Sequence, residues 1–140
     1  MEENIEKFLD FEDQFKQDTY ERWNKDNFLH DLPEKWSLSK VALESSEIVA
    51  YLIISAKKSG KQAYIHKAFV SPSYQNKGIF SAIMRPTMRF LSVLRYQSMA
   101  WSCPAENKDL INSYTRNTTT RTNFVSPNGK MFYIFERNII

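Results

Sequence analysis

The chain has few of the residues that build a disulfide framework or a cysteine-rich metal centre. Its 140 residues include one cysteine, Cys103, and two histidines, His30 and His66. A single cysteine excludes an internal disulfide, and a structural zinc site needs about four cysteine and histidine ligands. The composition therefore predicts that the protein holds no metal.

Long apolar runs are also missing. The longest, residues 48–54, has the length of a buried strand and falls well short of the ~18 residues of a membrane-spanning helix. The first seven residues, MEENIEK, are acidic, whereas a signal peptide begins with positive charge. We therefore expect a cytoplasmic protein that has no membrane partner.

Neither sign of charge predominates in the chain, because 19 basic and 16 acidic residues leave a net charge of +3. Such a mildly basic surface is compatible with an anionic ligand, but the basic residues are dispersed along the chain. A nucleic-acid partner is therefore not expected. The weak case for one rests on the threonine-, arginine- and asparagine-rich tract at 115–123, and such binding would fall steeply with salt.

The spacing of the apolar residues predicts one α/β (α+β) domain over residues 1–140, in which helices flank a central mixed sheet. Residues 1–38 form a helical segment, and residues 39–137 form the sheet and the main core. The expected order is ααβββαβαβ: two helices within 1–38, strands at 39–44, 48–56 and 62–70, a helix at 78–94 that Pro86 kinks or breaks, a strand at 98–102, a helix at 107–116, a polar tract at 117–123, and a last strand at 130–136.

Glycine is scarce as well, with three in the chain, so the place of Gly78 between a strand-like and a helix-like run is informative. A turn that opens a helix exposes unpaired N–H groups at the positive end of the helix dipole, which is a physical basis for anion binding. Lys77 adds positive charge, and Gln75 and Asn76 add neutral donors. Local sequence is equally consistent with a glycine that only eases a tight turn.

Residues 69–80, FVSPSYQNKGIF, resemble the acetyl-CoA signature of the GNAT-superfamily N-acetyltransferases. That signature is an apolar strand, often V-x-P, followed by Q/R-x-x-G-x-G/A at the start of a helix. Gln75 and Gly78 match it, whereas Phe80 stands where the family has a small residue. The resemblance implies that backbone amides from Asn76 to Ser81 bind the pyrophosphate, and it assigns acetyl-CoA binding to Phe69, Val70, Gln75, Asn76, Lys77, Gly78, Ile79, Phe80 and Ser81.

A second match to the family involves Asn107 and Tyr114, which lie about two helical turns apart and so share one helix face. The resemblance implies that Asn107 holds the pantetheine region and that Tyr114 protonates the departing CoA thiolate. The Gly-Phe pair that follows this tyrosine in the family is missing here. From the residues alone, Tyr114 is as readily a core tyrosine with a satisfied hydroxyl.

Acetyl transfer to an amine needs a group that removes a proton, directly or through water. His66 is the first candidate, because it lies on the strand before the glycine turn, where the family often places its base, and an ordinary histidine has a pKa of ~6.5. Strand alternation puts it on one face with Tyr64, the second candidate, and with Ala68. The alternative is a hydrogen-bonded histidine on a half-exposed strand.

These observations favour an N-acetyltransferase that moves an acetyl group from acetyl-CoA to a primary amine by direct transfer in a ternary complex. The acceptor is a small-molecule or peptide amine. The alternative is a catalytically degenerate GNAT-like module that binds acyl-CoA or a protein partner without turnover, motivated by Phe80 and the missing Gly-Phe. The end of the last strand, residues 138–140, could pair across a homodimer.

Overall fold

The computed structural model describes residues 5–14, 24–57, 61–75, 77–104, 120–127 and 129–139. Its elements are α1 (Ile5–Gln14), α2 (Lys25–Leu29), α3 (Lys35–Leu38), β1 (Lys40–Glu44), β2 (Glu47–Ala56), β3 (Gln62–Val70), a 3-10 turn (Pro72–Tyr74), α4 (Ile79–Val93), β4 (Ser98–Pro104), β5 (Thr120–Val125) and β6 (Met131–Asn138). The strands form one sheet in the order β1-β2-β3-β4-β6-β5.

The sheet is mixed and helices flank it, so the predicted fold class is confirmed. β3 and β4 pair in parallel, and the other four neighbouring pairs are antiparallel. A parallel pair needs a long crossover connection, which α4 supplies between β3 and β4. The predicted helix over 107–116 falls on residues that lie outside the described part of the chain.

The N-terminal segment contains three short helices where the sequence predicted two. Pro33 lies between α2 and α3, consistent with the predicted break at this proline. Asn24 and Asn27 cap the start of α2 reciprocally, because each side chain accepts a hydrogen bond from the other's backbone N–H at 2.9 Å. Pro86 lies inside α4 and does not end the helix.

The sequence predicted no strand within the polar tract at 117–123. This prediction is wrong for the second half of the tract, because Thr120–Val125 is strand β5. β5 has no apolar alternation to reveal it, but its threonines suit extended backbone, and it pairs with β6 at the edge of the sheet. The last strand, β6, consequently lies between β4 and β5 and is not an edge. Both edges of β6 are paired over residues 132–136, and a dimer contact at residues 138–140 stays a prediction.

β2 shows why the sheet is buried on both sides. Leu52 and Ile54 pack against the cluster that includes Leu91 of α4, and we call this side the α4 face. Tyr51 and Ile53 pack against the cluster formed with α1 and α2, which we call the α1 face. Apolar residues fill both alternation sets of β2, as a strand that is covered on both faces requires.

A buried ion pair fixes α1 to the sheet. The Lys67 ammonium of β3 lies 2.7 Å from the Glu12 carboxylate of α1, and the two side chains are 3% and 4% exposed. The Tyr51 hydroxyl donates a hydrogen bond to the same carboxylate. Removing one member leaves an uncompensated buried charge, which is far more costly than losing an exposed pair.

We expect Lys67→Met to lower the free energy of unfolding by about 3–5 kcal/mol, because Glu12 then keeps its charge without a cation. The matched control is Lys25→Met, which breaks the exposed Lys25–Glu6 pair, whose side chains are 61% and 76% exposed. That change should cost less than about 1 kcal/mol. Urea denaturation measures both, and equal losses would contradict the importance of the buried pair.

Candidate functional site

The parallel ladder between β3 and β4 ends before either strand does. It joins Gln62–Ile65 to Ser98–Trp101, while β3 continues to Val70 and β4 to Pro104. Beyond Ile65 each strand is held only by its other neighbour, β2 or β6. The two strands therefore part, and a gap opens whose β3 side is the backbone edge of the residues beyond Ile65. Such an edge can bind an extended ligand through amide hydrogen bonds.

His66 lies at the point where this gap begins, and it is an extra residue in β3. On β2, Ile53 and Ile54 are consecutive, but their partners are Lys67 and Ile65, so His66 has no partner of its own. A β-bulge of this kind bends a strand and redirects the side chains beyond it.

The bulge changes which face the side chains of β3 occupy. Ala63 and Ile65 belong to the α4 face, whereas Phe69 belongs to the α1 face, although all three have odd numbers. Ala68 packs against the α4 face. The prediction that His66 shares a face with Ala68 is therefore wrong, because simple alternation does not continue through a bulge. The predicted neighbourhood of His66 and Tyr64 is observed, since their rings meet edge to face with centroids 4.9 Å apart.

Ser55 is the residue of this site that sequence reasoning missed. Its Oγ lies 2.6 Å from Nε2 of His66, and it pairs with Tyr64 across the β2–β3 ladder. The sequence contained a signal for Ser55, because it is the one serine or threonine within the apolar run of β2, IVAYLIISA.

Burial, Lys35 and His30 all disfavour the charged form of His66. The pKa of His66 is lowered to about 4, first by burial, then by the positive charge of Lys35, and then by His30. Lys35 is itself 3% exposed, and its ammonium donates hydrogen bonds to the carbonyl oxygens of Phe28 and His30. A histidine with this pKa is a weak proton acceptor at neutral pH.

The N-terminus of α4 begins at the predicted glycine turn, and anion binding there stays a prediction. Gly78 occupies the N-cap position with a φ of 77°, and no side chain caps the helix. A Cβ at Gly78 would meet nothing within 4 Å, so the positive φ, and not lack of space, explains the glycine. The first N–H groups of α4, at Ile79, Phe80 and Ser81, are left for solvent or a ligand.

The turn between β3 and α4 is tied to the sheet. The Ser71 N–H donates to the Val49 carbonyl at 2.8 Å, and the Gln75 side-chain amide donates to the Val70 carbonyl at 3.0 Å. Gln75 thus stabilises the end of β3 and has one donor committed there. Lys77 is exposed, with its ammonium 5.7 Å from the centre of the Tyr74 ring.

The other predicted site residues divide into three groups. Phe69 is 6% exposed and its ring packs on Phe11, so only its backbone can line the gap. Val70 ends β3 opposite Ala50, and Phe80 is 37% exposed in the first turn of α4. Asn76, Asn107 and Tyr114 lie outside the described residues, and no position is assigned to them.

The bulge, the gap and the helix N-terminus follow one another along the chain. Val70 lies four residues after His66 along β3, at a distance of about 13 Å. The arrangement suits a long ligand whose anionic end lies at α4 and whose other end reaches His66. Among the described residues, no group of three or more histidine, cysteine or acidic side chains could hold a metal ion, and no helix is long and apolar enough to cross a membrane.

The low pKa of His66 makes stability depend on pH. The unfolded chain, with an ordinary histidine pKa of 6.5, binds this proton below 6.5, while the folded chain binds it only near 4. Stability is therefore full above pH 6.5 and is lost as the pH falls towards 4. We expect this effect to lower the free energy of unfolding by about 1–2 kcal/mol. The value is smaller than the full pKa shift of His66 would give, because the ring is partly exposed to solvent.

Denaturation of wild type and His66→Gln at pH 7 and pH 4.5 measures this dependence. The variant should lose less stability than the wild type on acidification. His30→Gln is the control for removing a histidine and should retain most of the wild-type slope. An equal loss of stability on acidification in wild type and His66→Gln would contradict the low pKa of His66.

Comparisons with known proteins agree with this geometry. The sequence model of the acetyltransferase (GNAT) family matches residues 3–118. No curated protein sequence matches the chain.

Among solved structures, the ribosomal-protein-S18-alanine N-acetyltransferase from Escherichia coli is similar at a TM-score of 0.72 and 15% identity, over 98% of this chain and 88% of that one. Arabidopsis thaliana Naa50, in complex with the bisubstrate analogue CoA-Ac-MVNAL, has a TM-score of 0.71 and 16% identity, over 98% and 93%. A GNAT family acetyltransferase from Elizabethkingia anophelis with acetyl-CoA bound has a TM-score of 0.57 and 10% identity, over 71% and 74%. At these identities the structures show a shared fold.

Proposed function

Since the chain belongs to the acetyltransferase (GNAT) family, we propose that it moves an acetyl group from acetyl-CoA to a primary amine by direct transfer in a ternary complex. The observation that carries the proposal is the β3–β4 ladder that stops at Ile65 and Trp101, with α4 beginning at a glycine beyond the resulting gap. A gap followed by an uncapped helix N-terminus matches a ligand with amide groups in its middle and phosphates at its end.

The residues present fit acetyl-CoA. The N–H groups at the start of α4 suit the pyrophosphate, and the exposed ammonium of Lys77 adds positive charge beside them. The edge of β3 that faces the gap beyond Ile65 suits the two amides of the pantetheine arm. When bound, acetyl-CoA supplies an activated thioester.

In the reaction, the amine nitrogen forms a bond to the acetyl carbon while the carbon–sulfur bond breaks. The amine loses one proton, and the departing thiolate takes one. From the family resemblance we propose that Tyr114 gives the thiolate its proton and that Asn107 holds the pantetheine. His66 and Tyr64 lie in contact at the start of the gap, which supports the proposal that they act on the reacting groups.

For the acceptor we propose a peptide or small-molecule amine that binds beside the helical segment of residues 1–38. Two similar structures favour a peptide, because one is named as an S18-alanine N-acetyltransferase and the other holds an analogue with the peptide MVNAL. Lys35 places positive charge near His66, which favours release of a proton from an amine bound there.

The second candidate is a degenerate module that binds acyl-CoA or a protein partner without turnover. Phe80 favours it, because this bulky side chain is 37% exposed in the first turn of α4, where the family has a small residue. Acceptor-dependent release of free CoA above background would contradict this candidate.

Gly78→Glu should abolish acetyl-CoA binding, because it adds a carboxylate where the pyrophosphate is expected and a side chain where φ is 77°. We expect affinity to fall at least about tenfold, or ~1.4 kcal/mol, in calorimetric titration. Gly129→Glu is the matched control, since Gly129 also has a positive φ of 83° and open space around it, but lies in the β5–β6 turn. Equal loss in both variants, or in neither, would contradict the site.

Tyr114→Phe should lower kcat by ~100-fold or more if Tyr114 is the general acid, with acetyl-CoA affinity unchanged. The measurement is CoA release in the presence of a peptide amine, together with calorimetry on the same variant. Undiminished turnover would remove the acid role from Tyr114 and leave the acetyl-CoA site untouched.

A further inference from the structure

The contact between Ser55 and His66 is the one side-chain hydrogen bond of His66 in the described structure. Oγ of Ser55 and Nε2 of His66 are 2.6 Å apart, and each ring nitrogen of a neutral histidine can be either donor or acceptor. Which atom carries the proton decides what His66 can do, because a nitrogen without a proton accepts one and a nitrogen with a proton donates a hydrogen bond.

The hydrogen bonds open to the Ser55 hydroxyl indicate which ring nitrogen of His66 carries the proton. Ser55 is 4% exposed, and its hydroxyl has Nε2 of His66 as its one partner among the described residues. If Nε2 carried the proton, the serine O–H would be buried without an acceptor, at a cost of about 1–3 kcal/mol. If the serine donates to Nε2, both groups are satisfied and the ring proton sits on Nδ1.

The surroundings of His66 prevent a second proton from joining the ring. Lys35 and His30 oppose added positive charge, and burial disfavours it further. Beyond the bulge, the next charged pair is Lys67 with Glu12, which neutralise each other on the α1 face. The edge-to-face contact with Tyr64 fixes the plane of the ring. In the described part of the chain, Nδ1 has no hydrogen-bond partner and is available to a bound molecule.

We propose that Ser55 holds His66 as the neutral tautomer with its proton on Nδ1, so that His66 serves as a hydrogen-bond donor to a reacting oxygen and not as the base that takes the proton of the amine. This inference rests on the proposed acetyl transfer. Negative charge develops on the acetyl oxygen when the amine attacks, and a fixed N–H donor stabilises that charge. The amine proton then leaves through water. Ser55 is a positioning residue, because it acts through His66.

The tautomer is directly measurable without turnover. Long-range proton–nitrogen correlation spectra of the labelled protein at pH 7 distinguish protonated from unprotonated ring nitrogens, and His30→Gln assigns the two histidines. We expect a proton on Nδ1 of His66 in the wild type and in Ser55→Thr, which keeps the hydroxyl. Ser55→Ala should shift the proton towards Nε2. A proton on Nε2 in the wild type, or an unchanged tautomer in Ser55→Ala, would overturn the proposal.

Ser39→Ala is the matched control for the loss of a buried serine hydroxyl. Ser39 is also 4% exposed, and its Oγ accepts a hydrogen bond from the Ile54 N–H at 3.0 Å, away from His66. This variant should lose stability but keep the tautomer of His66. If Ser55→Ala does not fold, the spectra of wild type and Ser55→Thr still decide the assignment.

Kinetics of two amide variants distinguish a donor from a base. The side-chain N–H of Asn can replace Nδ1–H of His66, whereas that of Gln replaces Nε2–H. We expect kcat of His66→Asn to stay within about tenfold of the wild type, and that of His66→Gln to fall ~100-fold, with KM changed less than kcat. Equal losses in both variants would overturn the donor role.

The failure of this inference is distinguishable from the failure of the proposed function. Wild-type protein that releases no CoA with any amine would overturn acetyl transfer and with it the catalytic role of His66. The ring spectra would still determine the tautomer. Active wild-type protein with the proton on Nε2 would leave acetyl transfer standing and overturn the role of Ser55.

Discussion

The extra residue in β3 at His66 sets the geometry of the rest of the molecule. Because Ile53 and Ile54 pair with Lys67 and Ile65, the side chains after His66 exchange faces of the sheet. Lys67 and Phe69 then meet α1, where Glu12 neutralises the lysine inside the core. The ladder to β4 ends at Ile65, just before the bulge. The docking of α1 and the opening of the gap therefore share one cause.

An open gap inside a sheet needs support on both sides, because unpaired backbone groups are costly where water is excluded. β2 pairs with the part of β3 beyond the bulge through residues 50–53, and β6 pairs with the part of β4 beyond Trp101. The turn after β3 is tied back to Val49, so the start of α4 is fixed relative to the gap. This rigidity is what a long ligand with a charged end requires, since its affinity depends on preorganised donors.

The sequence predicted a role for His66 from an ordinary histidine pKa, and that role stays a prediction. Burial, Lys35 and His30 lower that pKa to about 4, and Ser55 occupies Nε2. None of these four influences follows from the spacing of residues along β3. Lys35 and His30 come from the α2–α3 segment, and Ser55 comes from the neighbouring strand β2. The family resemblance indicated a residue at this position, and the tertiary structure determines its protonation.

The sequence by itself determined the features that depend on local pattern: the bounds of β1, β2, β3, α4, β4 and β6 to within two residues, the double burial of β2, and the glycine turn at Gly78. It could not determine β5, the interior place of β6, the partner of His66 or the face of Ala68. Every second residue of β3 is buried from Ala63 to Phe69, straight through the bulge, so the pattern of burial hides the change of face. The periodicity of the sequence indicates whether a side chain is buried. Which side chains it packs against is decided only by the pairing of strands that are distant in the chain.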